Sequence, residues 1–248
     1  MTQAPLPQLP DAVLRPVRGH HAFEACVEQL ATAIRLGVYP LGSTLPAERE
    51  LAERLGVSRA TLREAMAALR QAGLVETRRG RSGGTVVTLK PRTPSARKAA
   101  RVAAEVRADW LDVLEFRQIT EPGAAQLAAQ RQRDGDLDEE QREQLRTALA
   151  EVDAANRPAE HRQADSRLHL TIAALTGSPR VAAAVTDVQR VLHEMLLAIP
   201  VLDANIAHSD RQHAAVVRAV LAGKPDRARR AMEEHCDDTA ALLRGLVG

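Results

Sequence analysis

Helical periodicity runs almost without interruption from residue 110 to residue 245, and this pattern constrains the fold more than any other feature of the chain. Short breaks that contain Gly, Pro or Asn divide it into six segments, near residues 110–132, 137–155, 159–175, 180–198, 203–221 and 225–245. Aromatic residues make up only 2% of the chain, so the core must consist of Leu, Val, Ile and Ala. Because Ala and Leu favour helices, the pattern predicts an all-α bundle of six helices, or of seven if residues 96–107 add a short one.

The first part of the chain has a different organisation. Three short helices and two β-like segments are predicted, near residues 21–36, 46–55, 59–72, 74–78 and 85–89. Gly56 marks a tight turn between the second and third helices, and Ser58 is a suitable N-cap for the third. The order predicts a winged helix-turn-helix with a small β-hairpin in residues 20–90, and the whole chain is expected to be mainly α.

The remaining segments are predicted to connect or flank these two domains. Residues 1–19 are rich in Pro and Gln and are expected to form a disordered tail. Residues 91–108 are expected to form a linker, which starts at Pro91–Ser95, and the short extra helix. The all-helical domain is then predicted to occupy residues 109–248.

Composition excludes several classes of protein. Two cysteines far apart, Cys26 and Cys236, do not form a disulfide framework and fit a reducing cytoplasm. We find no signal peptide and no apolar run long enough to span a membrane. The formal net charge is +2, so a nucleic-acid-binding function must depend on where the charges lie. A cytoplasmic protein without membrane association is expected.

The strongest local concentration of positive charge lies in the helix-turn-helix. From Arg59 to Arg81 there are six arginines against two acidic residues. Residues near the start of a recognition helix reach base edges and phosphates in the major groove, and glycines let the backbone of a wing approach a groove closely. The candidate DNA-binding residues are Arg49, Ser58, Arg59, Thr61, Arg63, Gly80 and Arg81. Any one of these arginines could instead simply cover a solvated helix face.

Polar residues interrupt apolar helix faces in the C-terminal domain. Asp165 and His169 are four residues apart on one helix, and His213 and His235 lie on two later helices. Antiparallel packing could bring these four groups to one point. One carboxylate oxygen with three imidazoles suits a divalent transition metal, Zn first, with Ni, Mn, Co and Fe as alternatives. Histidines at helical spacing are also common as ordinary core or surface residues.

The N-terminal domain closely resembles the GntR-type DNA-binding domain over residues 25–88. The resemblance rests on the stretches Leu45–Ala52, Gly56–Ala65 and Gly73–Val75, with Leu69 and the Gly-rich wing. It implies that Arg49, Arg59, Arg63 and Gly80 contact DNA. Ala47 departs from the pattern, because many members carry a serine cap there, and the loss of such a cap costs about 1 kcal/mol of local stability.

The helical domain is similar to the effector domain of the FadR-like (FCD) branch, in its metal-binding form. The similarity rests on Arg117 with Glu121, Ala124–Ala129, Asp165–His169, His213 and Ala231–His235. It implies that Asp165, His169, His213 and His235 are metal ligands, and that Arg117 faces a cavity for acidic effectors. Leu168 stands where Phe is frequent, an apolar change of little consequence. Arg117 could alternatively form a salt bridge with Glu121.

These observations predict a DNA-binding transcription regulator, a repressor by family resemblance, and not an enzyme. A small carboxylate bound at the metal and Arg117 would modulate binding to double-stranded palindromic operator DNA. A homodimer is expected, because two-fold related units read half-sites about one helical turn apart. Two alternatives stay open: a catalytic metal centre with the DNA-binding domain as a targeting module, and a metal that only stabilises the bundle. Three more histidines are candidates for lining the cavity: His161, His193 and His208.

Overall fold

The computed structural model describes residues 9–17, 21–78, 84–90, 107–197 and 203–247. The chain separates into two compact units, one formed by Pro7–Pro91 and the other containing Arg92–Gly248. Helices dominate both units, which confirms the predicted mainly-α class. Among the described helices, none is long and apolar enough to cross a membrane.

The described residues of the N-terminal unit form four helices and one hairpin. They are α1 (Leu9–Val13), α2 (Ala22–Arg35), α3 (Glu48–Leu55), α4 (Arg59–Gln71), β1 (Val75–Arg78) and β2 (Gly84–Val87). The two strands pair in antiparallel register from Val75 opposite Val87 to Arg78 opposite Gly84. Thr44 adds an isolated bridge to Val86, so the segment before α3 lies against the hairpin. This arrangement confirms the predicted helix-turn-helix with a β-hairpin.

The turn between α3 and α4 depends on two residues that the sequence singled out. Gly56 has a φ of +65°, a left-handed conformation that costs glycine little and ends α3. The Oγ atom of Ser58 accepts a hydrogen bond of 3.0 Å from the backbone N–H of Thr61, which caps α4. Leu51, Leu55 and Leu62 are fully buried, so their packing holds the two helices together.

The expectation of a disordered tail is wrong for residues 9–17. Helix α1 lies there, and Ala12, Val13 and Leu14 are buried. The backbone N–H of Val17 donates a 2.7 Å hydrogen bond to the carbonyl of Leu55. A short apolar run within a Pro- and Gln-rich segment therefore packs against α2, and the residues after it reach the end of α3. Residues 1–8 and 18–20 lie outside the described part of the chain.

Six helices form the described part of the C-terminal unit. They are α5 (Arg107–Arg133), α6 (Glu139–Ala154), α7 (Pro158–Leu175), α8 (Pro179–Leu197), α9 (Asp203–Leu221) and α10 (Pro225–Val247). Their bounds agree with the predicted segments to within a few residues. The proposed seventh helix near 96–107 falls almost entirely outside the described residues.

Aliphatic residues fill the core of this unit, as the low aromatic content requires. One buried cluster joins α5, α6, α7, α9 and α10 through residues such as Ala125, Leu145, Leu168, Val216 and Met232. A second cluster contains Trp110 and joins α5 to α8 and α10. Alanines at the contacts let the helix axes approach closely. This packing brings polar residues of α7, α9 and α10 together inside the bundle.

Candidate metal centre and candidate DNA-binding surface

The four predicted metal ligands lie together inside the helical unit. One ligand atom each from Asp165, His169, His213 and His235 falls within 4.8 Å of the others. The Nε2 atom of His213 is 3.3 Å from Nε2 of His169 and 3.2 Å from Oδ1 of Asp165. Ligand atoms at about 2.1 Å from one ion are at most roughly 4.2 Å apart, so the set is slightly more open than a closed coordination sphere.

The protonation of the cluster suits a metal. Burial lowers the pKa of His213 to about 4, although the adjacent Asp165 carboxylate opposes this shift. Burial, together with the neighbouring His213 and Arg117, also holds the pKa of His235 well below its ordinary value. Both imidazoles are therefore neutral near pH 7 and keep a lone pair available for coordination. The chemistry of the residues fits a divalent transition metal.

Polar contacts behind two of the histidines fix their orientation. The Nδ1 atom of His235 is 3.3 Å from Oε1 of Gln212, and Nε2 of Gln212 donates a 2.7 Å hydrogen bond to Asp238. The Nδ1 atom of His169 is 2.9 Å from Oε2 of Glu121. An oxygen beside Nδ1 favours the proton there and leaves Nε2 for a metal, as is usual in metal sites.

Arg117 and Glu121 form a buried ion pair on α5. Their Nε and Oε2 atoms are 2.9 Å apart, and the side chains are only 1% and 2% exposed. Gln189 donates a 2.7 Å hydrogen bond to the other carboxylate oxygen. Burial opposes ionisation of Glu121, but Arg117 and His169 outweigh it and hold its pKa far below the ordinary value. The pair that the sequence left as an alternative is therefore present, and Arg117 also lines the cavity described next.

A cavity of about 160 Å³ adjoins the metal centre. Arg117, Asp165 and His235 line it, so three of the predicted site residues face one space. His161 and His208 also line it, whereas His193 is not among its lining residues. A cavity of about 150 Å³ holds a molecule the size of benzene, so a small organic acid fits.

The structure adds residues that the sequence analysis did not single out as site residues. Gln189 donates a hydrogen bond to Glu121, and Gln212 contacts His235. Arg162 lines the cavity. Arg162 lies three residues before Asp165 on α7, a spacing that could have placed it on the same helix face. The two glutamines carry no comparable sequence signal. Cys236 is no ligand: its Sγ lies 3.7 Å from Glu121, and burial raises its pKa, so it stays a thiol.

The candidate DNA-binding residues in the described part of the N-terminal unit lie at its surface. Arg49 is in the first turn of α3, and Arg59 and Arg63 are one turn apart on α4; all three are exposed. They form no ion pair with the described residues, which leaves their guanidinium groups available. The opposite face of α4 is buried through Leu62, among others. The exposed face of α4 therefore carries arginines that are available to bind phosphate groups.

The other candidate DNA contacts differ in what the structure says of them. The Ser58 and Thr61 hydroxyls lie 2.9 Å apart and near the surface, where the serine also caps α4. Gly80 and Arg81 lie in the wing tip, outside the described residues. Arg78, at the end of β1, pairs with Glu76 at 2.6 Å, so it adds less free positive charge than the sequence count implied.

A helix-turn-helix with an exposed basic face, followed by an all-helical unit with its own cavity, defines a DNA-binding transcription regulator. Residues 23–87 match the model of bacterial regulatory proteins of the gntR family, and residues 112–238 match the FCD domain. The chain belongs to the gntR family and carries an FCD domain. The family expectation from the sequence is confirmed.

Curated relatives agree with this assignment. The chain is 35% identical to RmpR, a candidate HTH-type transcriptional regulator of Mycobacterium gastri, over 86% of this chain and 76% of RmpR. It is 34% identical to a candidate regulatory protein of the L-lactate dehydrogenase operon of Escherichia coli K12, over 78% and 75% of the two chains. It is 30% identical to the Glc operon transcriptional activator of the same strain, over 86% and 85%. These relatives are transcription regulators and not enzymes, as expected for this chain.

Proposed function

We propose that the protein is a metal-dependent, acid-responsive repressor. A small carboxylate bound in the helical unit would change the affinity of the N-terminal unit for operator DNA. The observation that carries this proposal is the cluster of Asp165, His169, His213 and His235 beside a cavity in a DNA-binding regulator. One relative takes its name from the L-lactate dehydrogenase operon, an operon for the metabolism of a small carboxylic acid, which supports control by such an acid.

The proposed metal is a divalent transition ion, with Zn the first candidate and Ni, Mn, Co and Fe the alternatives. Asp165, His169, His213 and His235 would hold it, since their donor set suits these ions. When bound, the ion would act as a Lewis acid that receives a carboxylate oxygen. Arg117 would orient that carboxylate through Nη1, which is buried without a hydrogen-bond partner among the described residues.

Metal content and acid binding test the site. The purified protein is stripped with a chelator, reloaded with each ion, and titrated with small carboxylates by calorimetry. We expect one ion per chain, and acid binding only in the loaded protein. His213→Ala is expected to lose both, whereas His193→Ala, which does not line the cavity, should lose neither. Metal binding that stabilises the fold but never changes acid or DNA binding would indicate a purely structural ion.

DNA binding is proposed to use the exposed face of α4. A guanidinium group at the start of a recognition helix reaches guanine edges or phosphates. The affinity falls as the salt concentration rises, and each lost phosphate contact makes the slope of log K against log salt concentration less steep by about 1. We expect Arg59→Ala with Arg63→Ala to abolish specific binding to DNA that the protein selects from a random pool. The control is the pair Arg180→Ala and Arg229→Ala, which removes the same charge from the helical unit. Unchanged specific binding in the first variant would exclude this surface.

The proposed DNA-binding form is a homodimer that pairs through α5. Six large apolar side chains are exposed among the described residues, and four of these are Leu111, Phe116, Ile119 and Leu127 of α5. Phe116, Ile119 and Leu127 share one helix face with Gly123, which has open space above it. Contiguous exposed apolar residues mark an interaction surface, and a second copy would supply the paired units that a palindromic operator requires.

The oligomeric state tests this surface directly. Sedimentation of the wild type should give a dimer, and Ile119→Glu should shift it to monomer because Ile119 is 74% exposed and central to the stripe. Leu41→Glu, at an exposed apolar position of the N-terminal unit, is the matched control and should stay dimeric. A monomeric wild type, or an Ile119→Glu variant as dimeric as the control, would contradict the proposal.

Repression is proposed from the family resemblance, and one relative is by name an activator. A transcription assay in vitro on the selected DNA, placed at a promoter, decides the direction. We expect the protein to lower transcript yield and the effector acid to restore it. A rise in transcript on adding the protein would make it an activator and would leave the DNA and metal proposals intact.

A further inference from the structure

The wall of the cavity contains a buried arginine without a charge partner in the described part of the chain. Arg162 on α7 is 9% exposed and lines the cavity beside Asp165. Its Nε and Nη2 atoms are buried with no hydrogen-bond partner among the described residues. A buried charge is costly unless it is paired, and burial accordingly lowers the pKa of this guanidinium.

The other ionisable side chains that line the cavity already have partners. Arg117 pairs with Glu121 at 2.9 Å. At the edge of the cavity, His161 lies 2.8 Å from Asp210 and His208 lies 2.8 Å from Asp238. Arg117 and Arg162 are the two arginines that line the cavity, and among the described residues only Arg117 has a carboxylate partner.

Arg162 lies on the same helix as two of the candidate metal ligands. Arg162, Asp165 and His169 stand at positions i, i+3 and i+7 of one helix, so their side chains share a face. Arg162 is one turn, roughly 5 Å along the axis, from Asp165. If one carboxylate of a ligand lies at the metal centre, a second carboxylate joined to it by a short carbon chain would reach Arg162.

We propose that Arg162 forms a second anion-binding subsite and that the effector is a short dicarboxylate. This inference rests on the proposed function: one carboxylate occupies the metal end of the cavity, and the other receives two parallel hydrogen bonds from Arg162. A divalent ion together with the Asp165 carboxylate has a net charge of +1, and the Arg162 guanidinium adds a second positive charge. A dianion neutralises both, whereas a monocarboxylate leaves Arg162 buried and unpaired.

The test compares two acids that differ only at the far end. L-Malate and 2-hydroxybutyrate share a 2-hydroxy acid group and a four-carbon chain, but malate ends in a carboxylate where the other acid ends in a methyl group. Calorimetry on metal-loaded wild type should show malate binding at least tenfold more tightly, since a site with an unpaired buried polar group rejects a ligand that cannot satisfy it. Succinate and glutarate extend the series to test the spacing.

Variants assign the preference to Arg162. Arg162→Met should lower malate affinity to that of 2-hydroxybutyrate and leave 2-hydroxybutyrate affinity unchanged, and Arg162→Lys should keep part of the preference. Arg180→Met, at an exposed arginine of α8, is the control and should bind as the wild type does. The metal-free Arg162→Met variant should melt no lower than the wild type, because it removes a buried unpaired charge. This melting temperature also confirms that the variant is folded.

Each contrary result has a distinct meaning. Equal binding of the two acids by the wild type would overturn the subsite and leave the proposed function standing. A malate preference that survives Arg162→Met would show that another group receives the second carboxylate. Failure of every acid in the series to bind the metal-loaded wild type would overturn the dicarboxylate proposal and the carboxylate-responsive function together.

Discussion

Replacing the buried Glu121 by glutamine should destabilise the helical unit strongly. The change keeps the shape of the side chain but removes the negative charge 2.9 Å from the Arg117 guanidinium. At an effective dielectric constant of about 20, two unit charges at this distance attract by roughly 6 kcal/mol. Breaking a buried pair from one side costs about 3–5 kcal/mol, because a charge is left buried without compensation. We therefore expect Glu121→Gln to lower the free energy of unfolding by about 4 kcal/mol.

Urea unfolding of metal-free protein measures this loss. Trp110 is the single tryptophan of the chain and is buried in the helical unit, so its fluorescence reports on that unit. With an m value of about 2 kcal/mol/M, the midpoint should fall by roughly 2 M urea. Arg117→Met combined with Glu121→Leu should cost less than Glu121→Gln alone, because no unpaired charge remains.

An exposed pair with the same geometry provides the control. Arg229 and Glu233 on α10 have the same order and spacing, at 2.7 Å, but their side chains are 53% and 37% exposed. Glu233→Gln should therefore change the free energy of unfolding by no more than about 0.5 kcal/mol. A loss below 1 kcal/mol for Glu121→Gln, or equal losses for the two variants, would refute the reasoning from burial.

Three further predictions concern other parts of the chain. Ser58→Ala removes the cap of α4 and should lower its opening free energy by about 1 kcal/mol, measured by amide hydrogen exchange; unchanged protection would contradict the capping role. Burial lowers the pKa of His213 to about 4 in the folded protein, so this residue binds a proton more readily in the unfolded chain. The free energy of unfolding of metal-free protein should therefore fall by on the order of 3 kcal/mol as the pH falls from 6.5 to 4. Urea titrations across that range check this, and a flat profile would oppose it. Chelation of metal-loaded protein should lower its melting temperature, whereas His213→Ala should melt at one temperature with or without chelator.

The elements that the sequence predicted correctly are those specified by local patterns. Apolar spacing and Gly or Pro breaks located α5 to α10, and Gly56 and Ser58 located the turn of the helix-turn-helix. Helix α1 was missed because prolines and glutamines flank a run of only three buried apolar residues. Its order depends on packing against another part of the unit, which a local pattern does not encode.

In the candidate site too, local spacing predicted some residues, whereas contacts between distant parts of the chain could not be predicted. Asp165 and His169 share a helix, and their spacing alone put them on one face. The support behind them depends on tertiary packing: Gln189 reaches Glu121 across 68 residues of sequence, and Gln212 reaches His235 across 23. Arg162 has the right spacing from Asp165, but its lack of a partner becomes visible only when the neighbouring helices are in place.

The central claim is that an acid bound at the metal centre changes DNA affinity, and a coupled titration tests it most directly. Fluorescence anisotropy with selected operator DNA gives the Kd of metal-loaded protein with and without saturating acid. Coupling energies of this kind correspond to changes of about 5- to 150-fold, and linkage requires DNA to change the acid affinity by the same factor. We predict such a change in the wild type and none in His213→Ala. An unchanged Kd, with an acid that calorimetry shows to be bound at the metal centre, would contradict the claim.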